Sequence, residues 1–167
     1  MKTKLAFDFL VNRKTNTMTI KKEFEASRQL VWDCFTKSDL LDQWFAPEPY
    51  RAKTKHMDFT EGGYWLFAMI SPEGEKYWSR LDFKEIKPID HYTANDVFCD
   101  EEGKASPDLP EGHWKTHFTN SAETTTVKIL ISYHSLEDLE VVVKMGMQEG
   151  LTQTLEQLEK LLKTLSN

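Results

Sequence analysis

A chain of 167 residues is long enough to bury a hydrophobic core without metals or disulfides, and it falls in the size range of one domain, 1–167. Its 21 basic and 27 acidic side chains leave a net charge of −6, which argues against nonspecific binding to nucleic acid or to an anionic membrane. Apolar residues make up 40% and aromatic residues 12%, with 5 Trp and 10 Phe, so a globular fold with large rings to house is expected.

The first residues, MKTKLAFDFLVNRK, lack the unbroken apolar core of about 7 to 15 residues that a signal peptide needs. No run approaches the roughly 18 apolar residues that span a bilayer, so no membrane insertion and a cytoplasmic location are expected. Alternation over 3–11 and 17–25 predicts two strands joined by the polar turn NRKTN, with Lys2, Lys4, Arg13, Lys14, Lys21 and Lys22 on solvated faces. Ser27 then predicts the cap of a helix at 28–36, and Ser38 that of a second at 39–45, which Pro47 cannot extend.

Six further strands are predicted near 51–59, 63–71, 76–87, 91–99, 113–120 and 123–134, separated by turn residues. The run 63–71 is apolar on both faces, with Trp65, Phe67 and Met69 opposite Leu66, Ala68 and Ile70. One long loop is expected, CDEEGKASPDLPEG at 99–112, either as a gate or as a plain connection. Ser135 and Asp138 then resemble a capping box that opens a helix over 136–165. Its apolar stripe includes Leu139, Val142, Gly146, Met147, Gly150, Leu151, Leu155, Leu158 and Leu162. An antiparallel sheet curved around that helix satisfies both periodicities, which makes the expected class α+β.

From FEASRQLVWDCFTKSDLLDQWFAP through DFTEGGYWLFAMISPEGEKY to LDFKEIKPIDHYTANDVFCDEEG, the chain resembles the START-like SRPBCC superfamily. Within it the closest pattern is the bacterial single-domain branch named after the activator of Hsp90 ATPase, the AHSA1-like proteins. The ordered set Val31-Trp32, Trp44, Gly62-Gly63, Lys84-Glu85-Ile86 and the C-terminal leucine ladder carries the resemblance. It implies a helix-grip fold: six or seven antiparallel strands closing on a long C-terminal helix, commonly over a hydrophobic cavity. The Hsp90-activating eukaryotic relatives also carry a large N-terminal domain with an Asn-rich, Trp-containing motif that this sequence does not contain. A chaperone interaction is therefore possible but unsupported. Relatives often place an aromatic residue where this chain has Leu151, and a smaller side chain there reshapes the space under the helix.

In the register that the resemblance implies, Trp65, Phe67, Met69, Tyr77, Phe83, Phe98, Trp114 and Phe118 point toward the helix. With Trp44, Gly146, Met147, Gly150 and Leu151 they form the candidate ligand-binding set. For any one ring, packed core is favoured over a ligand wall. The two helix glycines present the same choice, since each costs roughly 1 kcal/mol against Ala unless something uses the missing side chain.

Candidate catalytic groups are few. Glu85 falls inward by strict alternation unless a bulge resets the register before Pro88, and the bulge or a solvated strand end is favoured; Asp96 is read the same way. His113 and His117 lie four apart on one strand face, about 13 Å distant, too far to share a metal. No HExxH, CxxC, P-loop or GxSxG motif occurs, Cys34 and Cys99 indicate neither a disulfide framework nor a zinc site, and Cys34 is read as a buried, inert thiol. The expectation is a protein that binds a small apolar or amphipathic molecule, with no cofactor, no metal and no catalytic residue. A cyclase- or hydratase-like enzyme using Glu85, Asp96, Tyr77 or Tyr92 is the alternative, and a co-chaperone or protein-interaction module the third.

Overall fold

The computed structural model describes residues 5–166. Its elements are β1 (Phe7–Asn12), β2 (Thr17–Phe24), α1 (Arg28–Thr36), α2 (Ser38–Leu41), β3 (Arg51–Met57), β4 (Tyr64–Ile70), β5 (Lys76–Lys87), β6 (His91–Cys99), β7 (Gly112–Ser121), β8 (Thr124–Tyr133), α3 (Leu136–Lys144) and α4 (Met147–Leu165). The strands form one sheet in the order β1-β2-β8-β7-β6-β5-β4-β3, with every neighbouring pair antiparallel. It is a helix grip, with eight strands rather than six or seven. The predicted strand 3–11 begins at Phe7 in the structure, and positions 2, 3 and 4 lie outside the described residues.

Local chemistry sets the element ends. The Asn12 side chain accepts from the backbone N–H groups of Lys14 and Thr15, which folds the β1–β2 turn, and Asn16 takes a left-handed φ of 59° that asparagine tolerates. Ser27 Oγ accepts from Leu30 N at 3.2 Å and Ser135 Oγ from Asp138 N at 3.1 Å, so both helix caps form as expected. Ser38 does not cap: it is the first residue of α2, whose cap position is Lys37, with no side-chain cap hydrogen bond. That helix is four residues long and runs on as turns that bring Trp44 and Phe45 back over Leu41.

The predicted helix 136–165 is interrupted. Gly146 adopts φ 88°, which ends α3 and starts α4, while the apolar stripe continues across the break. The two glycines therefore have different roles. Gly146→Ala is expected to destabilise by about 1–2 kcal/mol, because an L side chain resists that backbone conformation. Gly150 is helical, and an added Cβ meets only Pro47 Cγ at 3.8 Å. Gly150→Ala is accordingly expected to stabilise by up to about 1 kcal/mol. Urea denaturation of the two variants checks the opposite signs.

The inner face of the sheet and the helices enclose the main core. At one end it is a cluster of rings in edge-on contact, including Trp32, Phe35, Trp44, Phe45, Phe59, Phe83, Tyr92 and Phe118. A second, smaller apolar layer lies on the outer face, where Leu66, Ala68, Ile70 and Val97 are buried. Arg80 pairs there with Asp82 at 2.7 Å and also donates to the Gly103 carbonyl, which ties loop 100–111 to this face near Leu66. That cover is the reason β4 is apolar on both sides.

Candidate functional site

The space between sheet and helices is divided in two. Among the ring cluster it is filled, and the enclosed void that Trp44, Trp65, Phe83 and Tyr92 help to line measures only about 10 Å³, room for about one water. Toward the α3–α4 break it opens into a cavity of about 760 Å³. Small-molecule sites commonly measure about 300–1,000 Å³.

Nine of the thirteen candidate residues line this cavity: Phe67, Met69, Tyr77, Phe98, Trp114, Gly146, Met147, Gly150 and Leu151. Trp44, Trp65, Phe83 and Phe118 do not. They are buried in the core beneath it: Phe35 packs against Trp44 and Phe118, Phe45 against Trp44 and Trp65, and Phe59 and Tyr92 against Phe83. The structure adds wall residues that were not in the candidate set, chiefly Phe45, Pro47, Tyr50, Asp96, Leu109, Val142 and Met145. Tyr77 and Met145 are each 52% exposed and mark the mouth. Two other depressions, of about 630 and 380 Å³, are bordered mainly by polar and charged side chains.

Both sides of the cavity are anchored. On α4, Gln157 Nε2 donates to the carbonyls of Trp44 at 3.1 Å and Ala46 at 2.8 Å, while its Oε1 accepts from Glu48 N at 2.9 Å. Gln153 adds a bond to the Glu48 carbonyl at 3.0 Å. The loop after β6 is pinned as well: Asp100 Oδ1 accepts from Glu102 N and Lys104 N, and Ser106 N donates to the Phe98 carbonyl at 2.8 Å. With Asp100, Glu101, Ser106 and Leu109 on the lining, this loop forms a wall of the cavity.

Of the four groups named for acid–base chemistry, two border the cavity, Asp96 in its wall and Tyr77 at its mouth. The sheet register shifts between Phe83 and Ile86, and this bulge turns Glu85 outward, where its Oε1 lies 2.6 Å from His91 Nε2. The bulge's backbone N–H groups are satisfied by Thr93 Oγ1 and Glu61 Oε2, at 3.0 Å each. Tyr77 sits at the exposed mouth, and Tyr92 is locked among rings, its phenol pushed up by burial while the Thr116 hydroxyl acts in the opposite direction. Asp96 departs from the expected solvated end: it lines the cavity. Burial pushes its carboxyl up to about 7, while the Trp114 indole N–H pulls the other way without a hydrogen bond of full geometry between them.

The histidines hold a surprise of register. His113 and His117 are on the outer face as expected, but β6 places His91 directly across from His117, and with Asp90 the three offer ligand atoms within 4.8 Å of one another. Both ring nitrogens of His91 are already engaged, Nδ1 with Asp90 and Nε2 with Glu85, at 2.6 Å each. A metal would have to displace one of these carboxylates. The two cysteines are free and buried, and burial pushes both thiols up to about 11, which leaves them poor nucleophiles.

The family model described as activator of Hsp90 ATPase homolog 1-like protein matches residues 25–163. Solved structures agree with it. The solution structure of an Arthrobacter aurescens protein superposes with a TM-score of 0.89 at 26% identity, over 94% of this chain and 91% of that one. A crystal structure of a Mycobacterium smegmatis protein gives 0.87 at 27% identity, over 95% and 97%. A Silicibacter pomeroyi protein, titled AHSA1, shares the fold with a TM-score of 0.70 at 20% identity, over 90% and 99%. No curated protein sequence matches this chain.

Proposed function

The chain belongs to the activator of Hsp90 ATPase homolog 1-like family, and from that premise we propose that it is a cytoplasmic protein that binds one small apolar or amphipathic molecule in the cavity beside the α3–α4 break. The observation that carries this reading is the size and lining of that cavity: about 760 Å³ walled by Phe67, Met69, Phe98, Trp114, Met147 and Leu151. A space of that size with mainly apolar walls forfeits packing contacts that a bound apolar body restores. Among the described residues no helix is long and apolar enough to cross a membrane.

The neutral fluorescent probe N-phenyl-1-naphthylamine tests the reading. It is expected to bind the wild-type protein at micromolar concentration, and Gly150→Trp, which puts an indole at the cavity wall, is expected to weaken binding at least tenfold while the circular dichroism spectrum is retained. Absence of probe binding to the wild type, or equal binding by the variant, would remove the proposal. Native mass spectrometry of the purified protein would show directly whether a molecule is carried.

A second reading, acid–base catalysis in the cavity, is favoured by the placement of Asp96 alone. The titratable groups whose charge couples to it are the Cys99 thiol and the Tyr133 phenol, both pushed upward by burial. Neither is a ready base at neutral pH, so binding remains the leading function.

A further inference from the structure

The polar spot in the cavity wall defines what kind of molecule fits, provided that the cavity is the ligand site. In the sheet, Leu81, Asp96, Gly112 and Tyr133 stand in one row, each paired in register with the next. Gly112 puts no side chain between Asp96 and Tyr133. A Cβ at Gly112 would lie 3.1 Å from Tyr133 Cε1 and 3.4 Å from Cζ, so the phenol ring takes the room over the glycine. Two residues farther along β7, on the same face, Trp114 lines the cavity beside Asp96.

Beside the Asp96 carboxyl there are thus two buried donors without a hydrogen bond of full geometry: Trp114 on the cavity wall, and Tyr133 behind it, at the neighbouring depression of about 630 Å³. Trp114 Nε1 and Tyr133 Oη are both buried and, among the described residues, have no hydrogen-bond partner. A buried donor left unmade costs about 1–3 kcal/mol, and such groups in folded proteins normally mark a missing water or ligand atom. The charge of Asp96 reaches Tyr133, and the Trp114 N–H acts on Asp96, so the three groups share one neighbourhood.

We infer that Asp96, Trp114 and Tyr133 form an anchoring site for a single hydroxyl group at the end of an apolar ligand, an alcohol or a phenol. The donor and acceptor count selects this class. Above about pH 7, where Asp96 is ionised, a hydroxyl donates a hydrogen bond to its carboxylate and accepts from the indole N–H and the phenol O–H with its two lone pairs, which satisfies all three. An ammonium group pairs with Asp96 but accepts nothing, and a ligand carboxylate accepts from both donors but meets the charge of Asp96. A hydrocarbon leaves all three unsatisfied. The rest of the cavity, from Phe98 to Met147, takes the apolar body.

The test displaces N-phenyl-1-naphthylamine with two competitors of matched size, 4-butylphenol and butylbenzene. In the wild type the phenol is expected to displace the probe at about tenfold lower concentration than the hydrocarbon. In Asp96→Val that preference is expected to vanish, with butylbenzene displacement unchanged or stronger. Tyr133→Phe, which removes only the hydroxyl, is expected to reduce the preference severalfold and to leave the hydrocarbon unaffected, and it serves even if Asp96→Val folds poorly. Equal displacement by the two competitors in the wild type, or a preference that survives in both variants, overturns the anchor while leaving the cavity as a binding site. A wild type that binds no probe at all overturns the cavity and the anchor with it.

Discussion

Asp96→Asn is expected to stabilise the protein progressively as pH rises, by nothing near pH 4 and by about 2 kcal/mol at pH 8, beyond any constant offset from the amide itself. In the folded state the carboxyl titrates at about 7, against an ordinary value of 3.8. Between those limits the folded protein retains a proton that the unfolded chain has released, so unfolding free energy falls as pH rises. Above the folded value the slope disappears and the whole penalty remains. A displacement of about three pH units corresponds to roughly 4 kcal/mol at most, and the value of about 2 kcal/mol allows for water reaching Asp96 through the cavity. His91, Glu85, Asp90 and His117 titrate in both proteins and cancel in the difference. Urea denaturation of both proteins from pH 4.5 to 8.5 measures it, and a difference that stays constant across that range would place Asp96 in ordinary solvent.

Trp44→Ala is expected to cost about 3–5 kcal/mol, and Phe98→Ala no more than about 1 kcal/mol, although both side chains belong to the same candidate ligand-binding set. Trp44 is 1% exposed, sits edge-on against Phe35 and Phe45 with ring centroids at 4.9 and 5.2 Å, and donates through Nε1 to the Cys34 carbonyl at 2.9 Å. Removing it opens a hole in close-packed surroundings and orphans that carbonyl. Phe98 is partly buried and borders space that is already open, so truncation enlarges a cavity that exists. Equal losses of unfolding free energy in the two variants would mean that the cavity is collapsed in solution.

The strands were legible because period-two alternation survives wherever one face meets the core, and all eight appear within a few residues of their predicted ends. Alternation assigns a side chain to a face and says nothing about how far along the grip it lies. That is why Trp65, Phe83 and Phe118 could not be separated from the cavity walls: filling rings and lining rings share one pattern, and what parts them is the packing of Phe35, Phe45 and Phe59 over them, while Trp44, in the turn after α2, follows no strand alternation at all. The break at Gly146 was hidden for a related reason, since one left-handed glycine lets the 3.6-residue stripe resume almost in phase. Asp96 was misjudged because its burial depends on residues 16 and 37 positions away, Gly112 and Tyr133, which meet it only once the sheet is assembled. The pairing of His91 with His117 is equally invisible along one strand. The signal that was available for Asp96 was its inward parity, outweighed by the general rule that carboxylates seek water.

The two-part interior also bears on kinship. Architecture is carried by the ring cluster and the glutamine contacts that hold α4, whereas the mouth near Gly146 can exchange side chains at small energetic cost. Relatives about a quarter identical can therefore keep one backbone while the walls of the space beside the helix break differ from one chain to the next.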